Sequence, residues 1–156
     1  MSSEILGSRL KGSTLIVETP DGEEIYDSKF LVAATLIHVA RGGGKIEPEE
    51  SSLIIDLIEG HFHLQGAESL ELITRALEET VDNPALLNLL TDLAATISDR
   101  EKEEIALMGL KVVAADGRRD VAEMEQFSAA MNAMGISPEI VHRAFDRYFE
   151  QTMPGS

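Results

Sequence analysis

The sequence predicts an all-α domain of about seven helices, built around a doubled helix–turn–helix and preceded by a short N-terminal arm or hairpin. Three observations predict it. Aromatic residues are only 4% of the chain against 44% hydrophobic, so the core must be packed from Leu, Ile, Val, Ala and Met, which suits interlocking helices better than a sandwich. Helix start and stop signals recur from Phe30 onward. Finally, "VARGGGKIEPEE" (39–50) returns as "VVAADGRRDVAE" (112–123), an offset of 73 residues. The two stretches share a small-residue end, a glycine, a basic residue and a glutamate six positions after the glycine.

Each element follows from local chemistry. Residues 1–28 differ from the rest: "STLIVETPDGEEIYDS" holds an apolar run, a Thr-Pro-Asp-Gly turn and a return ending in Ile25 and Tyr26. That pattern fits a short hairpin, and such a pair is marginal unless it packs on something, so a partly disordered arm is the other expectation. A helical domain over 29–151 comes next, with a disordered tail at 152–156. "KFLVAATLIHVAR" is an alanine-rich helix stopped by Gly42, Gly43 and Gly44. "EPEESSLIIDLIEGHF" restarts with Pro48 and glutamates in its first turn, where they complement the helix dipole, and sets Ile54, Leu57, Ile58 and His61 on one face. "AESLELITRALEETV" lines up Leu70, Ile73, Leu77 and Val81. "NPALLNLLTDLAATI" opens on Asn83 and Pro84. Ser98 with Glu101, and Asp120 with Glu123, have capping-box spacing at the starts of the fifth and sixth helices, and Gly135 ends the sixth. Ser137-Pro138 opens the seventh, with Ile140, Ala144 and Tyr148 on its inner side.

Aligning Gly44 on Gly117 registers the two units. Val32, Leu36 and Val39 fall on Ile105, Gly109 and Val112, and Ile54 and Ile58 fall on Phe127 and Met131. Two such units can pack as a pseudo-symmetric pair bridged by the helices between them.

Composition also excludes. There is no cysteine, hence no disulfide, thiolate metal site or cysteine nucleophile. A formal charge of −15, with 13 basic against 28 acidic residues, repels a phosphate backbone, so no nucleic-acid partner is expected. The same charge maintains solubility or attracts cations and basic partner surfaces. The start "MSSEILGSRLKGS" has no apolar core of a signal peptide. No apolar run reaches the roughly 18 residues that would insert in a membrane. The expectation is a cytoplasmic protein.

A hydrophobic helix ending in Ala-Asp-Gly, then a basic residue and a glutamate-bearing helix start, all of it doubled, resembles the tellurite-resistance TerB-like family. "AADGRRDVAE" is the closer copy and "ARGGGKIEPEE" its partner, and helix order and loop spacing agree from about Phe30 to Glu150. The resemblance implies a compact helical module that is not an enzyme. It would act in tellurite and stress responses through protein partners, with divalent-metal binding at acidic turns. Carried over by position, Asp116 and Glu123 match the acidic residues of the second copy and Glu50 the glutamate of the first. Gly43 stands where the family pattern has an aspartate and Arg119 where isoleucine is usual, so a two-turn ligand set lacks one member here.

The residues themselves leave two readings of this turn. Asp116, Asp120 and Glu123, with Glu47 and Glu50 from the first copy, could offer oxygen ligands to a divalent cation (Ca, Mg or Zn). Calcium takes about six to eight oxygens, and no D-x-D-x-D-G series is present to supply them. Alternatively Asp116 shapes the turn, Gly117 takes a left-handed conformation, and Asp120 with Glu123 caps the next helix. His61 and His63 have a zinc-compatible spacing, but no cysteine can complete the site, and His61 also fits the apolar row. His38 and His142 have no partner visible in the sequence. The triple glycine is followed by Lys45 without a Ser or Thr, so it is no phosphate loop. Ser51, Ser52 and Ser69 sit at helix starts, where serine serves as a cap. Met124, Met131 and Met134 fill a core or line a groove for a partner helix. Three functions are therefore weighed: a non-enzymatic TerB-like interaction module, a metal-dependent hydrolase with a shared carboxylate site, and a ligand-free structural adaptor.

Overall fold

The computed structural model describes residues 5–41, 46, 48–80, 84–115 and 121–152. Among them lie three strands, β1 (Gly7–Lys11), β2 (Thr14–Thr19) and β3 (Gly22–Tyr26). Seven helices follow: α1 (Ser28–Ala40), α2 (Pro48–Phe62), α3 (Ala67–Thr80), α4 (Pro84–Ala94), α5 (Asp99–Val113), α6 (Val121–Ala133) and α7 (Pro138–Thr152). The helical domain is as the sequence predicts. The N-terminal segment is a three-stranded antiparallel meander rather than a two-stranded hairpin.

Both hairpins turn on two residues. Lys11 pairs with Thr14 around Gly12, whose φ of 62° lies in the left-handed region that glycine enters most readily. Thr19 pairs with Gly22 around Pro20 and Asp21, and the Thr19 hydroxyl donates to the Gly22 carbonyl at 2.8 Å. Alternation along the sheet puts Leu15, Val17 and Tyr26 on the face that meets α1 and α4, all three buried. The opposite face carries Arg9, which bridges Glu18 and Glu23. The sheet is also clamped to α3. The Tyr26 hydroxyl donates to Glu79 at 2.5 Å. The Arg75 guanidinium lies 4.7 Å from the Tyr26 ring centre and 5.1 Å from that of Phe30, and its Nη2 reaches the Ile25 carbonyl at 3.0 Å.

α1 is the central element. Asp27 caps it, accepting from the Phe30 N–H at 3.1 Å. From Phe30 to Ala40 every residue except His38 is buried. A helix apolar all round is one surrounded by protein, which explains why "KFLVAATLIHVA" shows no polar stripe. α2, α3, α4, α5 and α6 all pack on it. α7 packs along α5 instead, latched by Arg143 and Arg147 on Glu103 (2.9 and 3.0 Å) and by Arg147 on Glu104 (2.6 Å). These two arginines hold the Glu103 carboxyl below its ordinary range.

The repeat is structural as well as sequential. Every residue registered across it is buried: Val32, Leu36, Val39, Ile54 and Ile58 in one half, Ile105, Gly109, Val112, Phe127 and Met131 in the other. The unit is larger than a helix–turn–helix. Shifted by the same offset, α3 falls on 140–153, nearly the span of α7, and α3 packs on α1 as α7 does on α5. The third helices therefore hold corresponding places, although their buried residues are not in register at this offset, Ile73 falling on exposed Asp146, and α4 lies between the two units. At two registered pairs the sizes shift in opposite directions: Leu36 and Ile54 are answered by Gly109 and Phe127. A Cβ on Gly109 would stand 2.8 Å from Phe127 Cε1, so the glycine makes room for the ring. On α3, Leu70 is 59% exposed and does not belong to the inner row expected for it. Ser69, Ile73 and Ala76 form that row, and Ser69 enters it by donating from its hydroxyl to Glu59 at 2.5 Å.

Candidate functional site

The two Gly-to-Glu turns begin and end alike. α1 closes on Arg41 (φ −77°, ψ −3°), whose N–H points at the carbonyls of Ile37 and Val39. α5 closes on Ala114 (φ −87°, ψ −2°), with its N–H on Leu110 and Val112. Arg41 and Ala114 are one repeat apart, as are Pro48 and Val121, where α2 and α6 begin. The helix ends that flank the two segments are therefore equivalent, and Gly43 and Asp116 between them lie outside the described residues.

Of the five carboxylates proposed as metal ligands, Glu47, Asp116 and Asp120 lie outside the described residues, as does the side chain of Glu123. Glu50 is described. It sits in the first turn of α2 and is 2% exposed, the only carboxylate among the buried polar residues described. Helix-dipole chemistry favours an acidic residue there. An ionised carboxylate inside a protein is held by donors or by a cation. Among the described residues no group of three or more His, Asp or Glu side chains is arranged to hold a metal.

The His-x-His pair is divided rather than convergent. His61, in the last turn of α2, is half-buried, and its Nε2 meets both carboxylate oxygens of Glu101 at 2.9 and 3.0 Å. Its ring stands edge-on to Phe62 at 4.7 Å. His63 is exposed just past the helix end with φ 58°, a left-handed cap. His61 is thus an inter-repeat tie, joining the end of α2 to the start of α5. Glu101 consequently performs only half of the expected capping box: Ser98 accepts from the Glu101 N–H at 3.2 Å, while the Glu101 side chain is on His61.

His38 has a partner that the sequence could not show. It is Gln126 on α6, 88 residues away, whose amide nitrogen meets His38 Nε2. Burial, with a smaller contribution from Arg41, pushes the His38 pKa down. His142 has only a loose, exposed approach to Asp146 at 3.8 Å. None of these contacts pairs a nucleophile with a base.

The architecture is that of an all-helical domain duplicated about two acidic turns, with a buried carboxylate at the first. Comparison with family models places it: residues 29–146 match the family described as tellurite resistance protein TerB, and the chain belongs to that family. The family is not one of known enzymes. No curated protein and no solved structure matches the chain. Among the described residues no helix is long and apolar enough to cross a membrane.

Proposed function

We propose that this chain is a non-enzymatic cytoplasmic module that binds a divalent cation at its Gly-to-Glu turns and acts through protein contacts in tellurite and stress response. The observation that carries the cation clause is the buried Glu50 carboxylate, seated where the repeat expects a ligand. Its equivalent, Glu123, occupies the same helical turn of the second unit. Oxygen donors of this kind suit calcium or magnesium. They suit zinc less well, since structural zinc sites favour nitrogen and sulfur and the chain has no cysteine. Glu47, Asp116 and Asp120 would complete the set. Gly43 removes one donor from it, so the affinity should be that of an incomplete shell.

Thermal melts with EDTA, calcium, magnesium and zinc test this. A cation that binds only the folded form at about a hundred times its Kd adds about 2.7 kcal/mol. For a chain of this size that is a rise in Tm of roughly 5–10 °C. Glu50→Gln keeps the shape of the side chain, and Asp116→Ala removes a proposed ligand outright. Each should shrink the shift. A melt indifferent to every cation would remove the cation clause and leave the ligand-free adaptor.

A further inference from the structure

A cleft of about 260 Å³ opens between α1, α4 and α6, on the side of α1 that carries His38. Ala34 on α1 and Ala129 and Ala133 on α6 leave the space, because no side chain there is long enough to fill it. Leu31, Leu90, Ala130 and Met134 supply the rest of its apolar wall. Four polar groups reach it: Thr35, His38, Asn88 and Thr91.

Two properties of this lining define an occupant. First, among the described residues no Asp, Glu, Lys or Arg faces the cleft. A charged ligand would lose its hydration there with no counter-charge in return. Burial disfavours protonation of the His38 ring, whose Nε2 meets the Gln126 amide nitrogen. Second, both hydroxyls have already used their protons. Thr35 donates to the Leu31 carbonyl at 2.7 Å and Thr91 to the Asn88 carbonyl at 2.6 Å. What remains on each oxygen is acceptor capacity, so either can take a donor from a bound molecule, while the Asn88 amide can serve in both roles.

Size narrows the class further. Pockets for drug-sized ligands run from roughly 300 to 1,000 Å³, while a cavity of about 150 Å³ is enough for benzene. This cleft lies between the two and matches a bicyclic ring.

We infer that the cleft between α1, α4 and α6 is a binding site for an uncharged, ring-sized apolar molecule carrying one N–H or O–H donor. None of the lining residues belongs to the Gly-to-Glu turns, and the site needs no cation.

Indole is the probe, titrated into the isotope-labelled 156-residue chain at physiological salt with EDTA present. Three relatives serve as controls: 1-methylindole lacks the donor, indole-3-acetate adds a negative charge and tryptamine a positive one. The expected result is saturable shifts of α1, α4 and α6 amides with indole. Binding should be several-fold weaker for 1-methylindole and at least tenfold weaker for both charged relatives. Ala133→Leu, at an exposed helical position, should plug the cleft and abolish the shifts while the melt stays near wild type. Ala129→Leu does the same from the adjacent turn should the first variant fold poorly. Three results would each overturn the assignment: no shift in these helices with indole, charged relatives binding as tightly, or both leucine variants binding like wild type.

Discussion

Gly109→Ala is a substitution on which local and tertiary physics disagree. Gly109 lies inside α5 at an ordinary helical φ, so intrinsic propensity alone favours alanine by about 1 kcal/mol. The new Cβ, however, would stand 2.8 Å from Phe127 Cε1 and 3.0 Å from Cδ1. Carbon atoms in contact prefer roughly 3.5–4.0 Å, so the ring must withdraw by at least about half an ångström. Phe127 is 1% exposed and has protein on every side. Overpacking of this kind costs about 1–3 kcal/mol, which outweighs the propensity gain and leaves a net loss of about 1 kcal/mol. Urea denaturation reads it: with a slope of about 2 kcal/mol per molar, the midpoint should fall by about 0.5 M at unchanged slope. Phe127→Leu alone should also destabilise, through the space it leaves. Added to Gly109→Ala it should recover part of the first loss, a coupling of about 1 kcal/mol between residues in contact. A Gly109→Ala protein as stable as wild type, or an additive cycle, would refute the reasoning. The glycine would then be an accident of the second repeat rather than the complement of its phenylalanine.

Further tests address the clamp, the cleft histidine and a cap. Tyr26→Phe removes the donor to Glu79 and should cost about 1.5 kcal/mol or more by denaturant unfolding, since the acceptor is charged. Burial, and then the Glu79 hydrogen bond, raise the Tyr26 pKa in the folded chain. The unfolded chain releases this proton first, so the stabilisation is complete below about pH 10 and is lost as pH rises beyond it. Tyrosinate absorbance of a Tyr148→Phe variant, which leaves Tyr26 as the only tyrosine, should show the delay. His38 works in the other direction. With its pKa lowered by burial, the unfolded chain binds the proton more readily, so stability is lost as pH falls below about 6.5. His38→Gln should flatten that slope between pH values of about 7.5 and 5.5 in urea melts. Ser98→Ala removes the cap of α5 and should cost about 1 kcal/mol.

Much of this fold was legible because helices announce themselves locally. Ser98 caps α5 as its sequence context suggests, and the registered core positions are buried in both repeats. What escaped the sequence was decided at a distance. β1 is too polar in "GSRLK" to read as a strand, and it exists because β2 offers it an edge. The third helix of each unit was hidden because α3 and α7 share few residues, although they hold equivalent places. Leu70 and Ser69 exchanged sides because a hydrogen bond to Glu59 let the serine be buried. The candidate site was legible only in outline. Its position follows from the repeat and the burial of Glu50, whereas the His38–Gln126 and His61–Glu101 pairs join helices 88 and 40 residues apart.

The sheet has a consequence of its own. The matched family domain begins at residue 29, yet Leu15, Val17 and Tyr26 belong to the same buried cluster as Phe30 and Leu36. The outline of the family and the wall of this molecule are therefore different boundaries. A chain trimmed at the family's edge would lay open the floor on which those three side chains rest and would leave the Arg75 guanidinium without its tyrosine. Anyone grafting this domain onto another protein has to carry the first strands with it, as one carries the lid with a vessel that was fired shut.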